Sequence, residues 1–158
     1  MGRQHVVTRE SVVPAAADDV WSRAVTFDGI DHELRPWLSM TVPAGADGLS
    51  LDSVVPPHRV GRSWVRMFGV VPVDFDDITI AEVGPGRRFL ERSRMFSAPV
   101  WQHERTVEPV DDHSCRVRDE LTFEPRRGAG WVAPRVVGAL FTHRHRRLVA
   151  HWSVRPSG

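Results

Sequence analysis

Three stretches in the second half of the chain, residues 87–95, 100–109 and 115–124, alternate between charged and apolar residues with period two, as strands with one buried face do. Their even positions carry Arg88, Arg92, Arg94, Glu104, Glu108 and Arg116, a solvent face. Their odd positions carry Phe89, Met95, Trp101, Val107, Val117, Leu121 and Phe123, which must turn inward. The same inward set also holds Glu91, Ser93, His103, Arg105 and Asp119, polar residues on a face that should be dry.

The remaining elements follow from similar patterns. His5 to Val13 reads as a strand, and Pro14 opens a helix with Asp18 and Asp19 in its first turns and Val20, Trp21, Ala24 and Val25 on one face. Gly29 is expected to stop that helix, a second helical turn should cover roughly 31–35, and 37–42 can be a strand. Residues 43–60, with Gly45, Gly48, Pro56 and Pro57, form a connection long enough to act as a lid or mobile loop. Strands are expected over 62–70 and 73–83, a hairpin turn at Gly84-Pro85-Gly86, and a final helix over roughly 132–153 after the Gly128 and Gly130 hinge. The order is one strand, two helices, six strands and a long helix.

Register turns the inward set into rows. A one-residue slip would turn a strand inside out, so odd positions must face odd positions. Turns centred on Ala98 and Asp112 place Phe89 beside Val107 and Val117, Glu91 beside Arg105 and Asp119, Ser93 beside His103 and Leu121, and Met95 beside Trp101 and Phe123. On the outer face the same register aligns Arg88, Glu108 and Arg116. Buried, Glu91, Arg105 and Asp119 would need one another. They form either a structural brace or the polar lining of a ligand cavity that orients His103. In the final helix, Val137, Phe141, Leu148 and Trp152 form an apolar stripe interrupted by Arg144, which either faces the polar rows or snorkels outward.

Composition narrows the chemistry. The 158 residues include no lysine, tyrosine or asparagine and a single cysteine, Cys115. Schiff-base enzymes, a lysine-dependent phosphate loop, phenolic acid catalysis, dithiol redox and a cysteine-rich zinc site are thereby excluded. The three missing residues have AT-rich codons, which suggests a GC-rich bacterial genome. The net charge of +1 conceals an uneven distribution. Residues 126–158 hold seven arginines and no acid, so the first 125 residues carry −6 and the remainder +7. Because these arginines interleave with a helical apolar stripe, a docked amphipathic helix is the favoured reading over polyanion binding. His143 and His145 are two apart and splay on a helix, so no metal site is expected, and no cofactor. With no signal-peptide pattern and no long apolar run, a cytoplasmic protein is expected.

Pro14 through Val20-Trp21, the strand Trp101-x-His103-x-Arg105, Val117-x-Asp119-x-Leu121-x-Phe123 and the terminal Phe141-x-x-Arg144-x-x-x-Leu148 resemble the START-like, helix-grip superfamily over essentially the whole chain. That group includes pollen allergens related to the birch allergen, lipid-transfer domains and polyketide cyclase/dehydratases. Glu33-Leu34-Arg35-Pro36-Trp37 and Phe141 to Leu148 resemble a bacterial branch of it. The resemblance implies an α+β helix-grip fold: a seven-stranded curved antiparallel sheet around the long terminal helix, with two short helices after the first strand. It further implies one domain over 1–158 and an internal cavity.

Function is then expected to be binding or transport of a small hydrophobic or aromatic metabolite. The ligand set would be Phe89, Glu91, Ser93, Met95, Trp101 and His103 together with Arg105, Asp119, Leu121, Phe123, Phe141 and Arg144, with Arg105, His103 and Arg144 gripping one polar or anionic group. The alternative is a cofactor-independent cyclase or dehydratase with His103 as acid or base, Arg105 stabilising an enolate, and Glu91 or Asp119 tuning them. A third reading is a module that binds a partner through the basic helix. No nucleic-acid partner and no stable membrane insertion are expected, and the chain would be a monomer or homodimer.

Overall fold

The computed structural model describes residues 2–154, so Arg155 of the basic segment lies outside the described residues. Strand β1 (His5–Val13) is followed by helices α1 (Ala17–Ala24) and α2 (Phe27–Leu34). Six strands come next: β2 (Leu38–Met40), β3 (His58–Met67), β4 (Val71–Val83), β5 (Arg88–Met95), β6 (Val100–Asp111) and β7 (Ser114–Glu124). The 21-residue helix α3 (Ala133–Ser153) completes the order, as the alternation patterns require. The seven strands pair antiparallel in one sheet, in the order β1-β7-β6-β5-β4-β3-β2. Register shifts in the β3–β4, β4–β5 and β6–β7 pairings let the sheet curl.

The helical segment after β1 differs from the expected one. It breaks at Val25–Thr26, and Thr26 caps α2 by accepting a hydrogen bond from the Gly29 amide at 3.1 Å. Gly29 therefore lies inside α2 rather than ending α1. A Cβ there would stand 2.0 Å from the Arg23 carbonyl oxygen, so the turn between the helices closes only over glycine. The 43–60 connection is also less free than its polar composition suggests. Ala46, Leu51 and Val54 are buried in the core, Leu51–Ser53 forms a 3-10 turn, and the Leu51 amide donates to the Val25 carbonyl at 3.1 Å.

Register between β6 and β7 is the expected one, with Trp101 opposite Phe123 and Arg105 opposite Asp119. Between β5 and β6 it differs by two residues. Phe89 lies opposite Arg105, Glu91 opposite His103 and Ser93 opposite Trp101. The turn between them is centred one residue earlier because Asp74 on β4 holds it, accepting from the Phe96 amide at 2.9 Å and the Ser97 amide at 3.3 Å. A two-residue shift preserves which face each side chain occupies but changes its neighbours. Glu91 is thus not the partner of Arg105, and on the outer face Arg88 reaches Glu82 and Glu104 instead of Glu108.

Helix α3 lies on the concave face nearest β1. Arg9 Nε donates to Thr142 Oγ1 at 2.9 Å, and a Cβ on Gly138 would come within 2.7 Å of Arg9 Nη2, so glycine permits the close approach. Phe141, Arg144 and Leu148 are buried while Val137 and Trp152 are partly so, which matches the interrupted stripe. Cys115 is fully buried on β7, and burial pushes its thiol up. No helix among the described residues is long and apolar enough to cross a membrane.

Candidate functional site

A chain of buried charged groups runs from α2 through the sheet to α3. Arg105, 1% exposed on β6, is gripped from two sides. Its Nε and Nη2 each donate to one oxygen of Asp119 at 2.8 Å, while Nη1 and Nη2 donate to the two oxygens of Glu33 at 2.8 and 2.9 Å. Such bidentate pairs use the planar guanidinium fully. Arg144, projecting from mid-stripe on α3, donates from Nε to the same Glu33 at 3.0 Å. Two histidines complete the shell of Asp119: His103 Nε2 lies 2.7 Å from Oδ1 and His145 Nε2 lies 2.8 Å from Oδ2. Since an ionised carboxylate only accepts, both rings must carry their proton on Nε2. His145 Nδ1 then pairs with Ser11 Oγ on β1 at 2.7 Å.

Burial raises the pKa of Asp119, but Arg105 and His103 more than offset it and hold the carboxyl well below the usual range. Glu33 is lowered in the same way, burial being outweighed by Arg105 and Arg144. His103 is raised: burial opposes its charge, and Asp119 and Glu91 prevail. Glu91 is lowered despite burial, chiefly by His103, whose Nδ1 is 3.8 Å from Oε2; Ser93 Oγ donates to Glu91 Oε1 at 2.6 Å. Asp76 on β4 is the exception, raised well above the usual value by burial and by the charge of neighbouring Glu91.

Beside this chain lies a cavity of about 110 Å³ lined from α1, α2, the 3-10 turn at Leu51, β2–β6 and α3. Its wall is mainly apolar, with Leu34, Ile78, Ile80, Phe89, Trp101 and Phe141, and Asp76, Glu91, His103 and Arg144 are its polar members. Of the residues expected to meet a ligand, Phe89, Glu91, Met95, Trp101, His103, Phe141 and Arg144 line it. Ser93, Arg105, Asp119, Leu121 and Phe123 do not, because they pack behind the first layer of side chains. The cations expected to grip an anion are already engaged by carboxylates: Arg105 and Arg144 by Glu33, His103 by Asp119.

Sequence reasoning missed three members. Glu33 sits on a short helix whose docking no local pattern reveals. His145, whose spacing from His143 argues against a metal pair, instead meets the carboxylate of Asp119. Asp76 did leave a signal, since it alternates with Ile78 and Ile80 on the inward face of β4. Among the described residues no group of three or more His, Cys, Asp or Glu side chains is arranged to hold a metal ion.

Comparison with known proteins bears on the fold. Residues 11–152 match the family described as "Domain of unknown function (DUF8410)". No curated protein matches the sequence. A START superfamily protein from Mycobacterium smegmatis superposes with a TM-score of 0.71 at 12% identity, covering 94% of this chain and 97% of that one. The Zhui aromatase/cyclase from Streptomyces sp. R1128 gives 0.66 at 13%, covering 99% of each chain. Norcoclaurine synthase from Thalictrum flavum, in complex with dopamine and hydroxybenzaldehyde, gives 0.66 at 13%, with 99% and 91% covered. At such identities the likeness carries the fold alone, which is START-like and helix-grip.

Proposed function

Given that the chain belongs to the DUF8410 family, we propose that it binds or carries a small hydrophobic or aromatic molecule in the cavity between α3 and the sheet. The observation that carries this reading is the cavity itself: an apolar wall with a few polar groups converging on one side is the usual build of a small-molecule site. Its volume of about 110 Å³ lies below the ~300 Å³ at which sites for drug-sized ligands begin. It approaches the ~150 Å³ of a dry cavity that holds one benzene. The occupant is therefore of single-ring size.

The small volume and the engagement of Arg105 favour carriage over the cyclase or dehydratase alternative. A multi-ring polyketide exceeds the space, and Arg105 lies behind the wall with its donors committed to Asp119 and Glu33. Calorimetric titration with toluene and phenol, alongside native mass spectrometry of the purified protein, tests the reading. Saturable binding of at least one probe is expected, lost on Ala24→Leu, which fills the cavity from α1. Binding of neither probe, or binding unchanged by Ala24→Leu, would overturn it.

A further inference from the structure

Nearly every polar group around the cavity has a partner inside the protein. Asp119 and Glu33 are saturated by arginine and histidine, and Glu91 accepts from Ser93. Three buried side-chain atoms among the described residues have none: His5 Nε2, Trp152 Nε1 and Asp76 Oδ1. Of these residues only Asp76 lines the cavity between helix and sheet. An acceptor left without a donor in a dry interior is costly, so it calls for an explanation.

The neighbours cannot supply that donor. Ser63, opposite Asp76 on β3, is fully buried, and its hydroxyl donates instead to the Thr41 carbonyl at 2.6 Å. Ser93 gives its proton to Glu91 and receives the Thr79 amide at 3.2 Å. Along β4 the wall continues from Asp76 as Ile78 and Ile80, and Met95 stands opposite it on β5; none of these donates, and the neighbouring acid, Glu91, shares the carboxyl proton rather than supplying one of its own.

Resting on the cavity-binding reading above, we propose that Asp76 makes this cavity selective for a phenol-class ligand, one ring whose hydroxyl donates a hydrogen bond to the Asp76 carboxyl. Ligand polarity follows from what is already paired. An anionic group would find Arg105, Arg144 and His103 occupied and two carboxyls facing it. An ammonium would have to shed its water in a mainly apolar space, where burial and the charge of Glu91 push the Asp76 carboxyl toward its neutral form and Glu91 already stands 3.8 Å from His103 Nδ1. What remains is a neutral donor, and the volume limits it to one ring.

The test is calorimetric titration at pH 7 of the full chain, the Asp76→Asn variant and the Asp76→Leu variant with phenol, toluene and benzylamine. The unaltered protein should bind phenol about tenfold more tightly than toluene, the effect of one added hydrogen bond. Asp76→Leu should erase that preference, while Asp76→Asn, which keeps a carbonyl oxygen, should retain most of it. Equal binding of phenol and toluene, a preference that survives Asp76→Leu, or tighter binding of benzylamine than of phenol would each overturn the proposal while leaving the cavity reading intact. Binding of neither phenol nor toluene would overturn both. Should Asp76→Leu fail to fold, a crystal structure of the phenol complex decides. A hydroxyl within about 3.5 Å of an Asp76 carboxyl oxygen supports the proposal, and one beyond that overturns it.

Discussion

Arg105 on β6 and Glu33 on α2 meet through two hydrogen bonds of 2.8 and 2.9 Å across 72 positions of sequence. Glu33 also takes Arg144 from α3, so one carboxylate joins a short helix, the sheet and the long helix. The three side chains are buried, and their charges are sustained by one another rather than by water.

Removing that carboxylate should leave two buried guanidinium groups undercompensated. Glu33→Gln is expected to lower stability by about 3–5 kcal/mol, the cost of breaking a buried pair from one side. Asp77→Asn, which disrupts surface pairs with Arg59 and Arg62, should cost at most about 1 kcal/mol. Urea unfolding of the two variants checks the contrast, and similar midpoints would refute it.

Stability should also fall with rising pH through the histidine range. His103 is raised in the folded state, so its contribution is complete below about pH 6.5, its unfolded value, and is lost as pH climbs through the folded one. His32 and His151, lowered mainly by burial and then by Arg147 and Arg23, act in the opposite sense. The difference between the unaltered protein and His103→Gln therefore isolates the His103 contribution. It should shrink between pH 6 and pH 9 in denaturant titrations, and a constant difference would contradict the assignment. At the acid end, the depressed Asp119 and Glu33 contribute above the ordinary carboxylate range, and that contribution disappears as pH falls through their folded values.

Gly29→Ala should destabilise despite lying in a helix, where alanine is ordinarily better by about 1 kcal/mol. The added methyl would collide with the Arg23 backbone oxygen, and prising α2 from α1 should cost about 2–3 kcal/mol. Gly130→Ala, with only His5 Nε2 at 3.9 Å near the new atom, should change stability by no more than about 0.5 kcal/mol. Thermal unfolding of both variants measures the gap, and an unchanged Tm for Gly29→Ala would sink the argument.

Most of the sheet was legible because period-two alternation reports burial directly: β1, β5, β6, β7 and α3 lie where their patterns place them, and Asp119 faces Arg105 as the β6–β7 turn requires. Face parity survived even where β5 slid by two residues, since Glu91, Ser93 and Met95 stay on the inward side. Partner identity did not survive, because it depends on the turn at Phe96–Pro99, which is set by Asp74 from a different strand. Glu33 was illegible for a related reason: the docking angle of an eight-residue helix is a tertiary property, and its capping residue, Thr26, sits in a stretch that reads as continuous helix.

Helix α2 both walls the cavity, through Ile30 and Leu34, and anchors the buried charges, through Glu33. Swinging it outward to admit a molecule would pull Glu33 from Arg105 and Arg144 at once, which makes α2 a poor door. The three-residue edge strand β2, whose Leu38 and Met40 line the cavity, bonds to β3 alone within the sheet and to α2 through the Met40 amide on Asp31 Oδ1 at 3.1 Å, so it can separate without breaking a buried ion pair. For the guest proposed above, residence time would then be set by fraying along the β2 margin, with exchange fast while the charged interior stays intact.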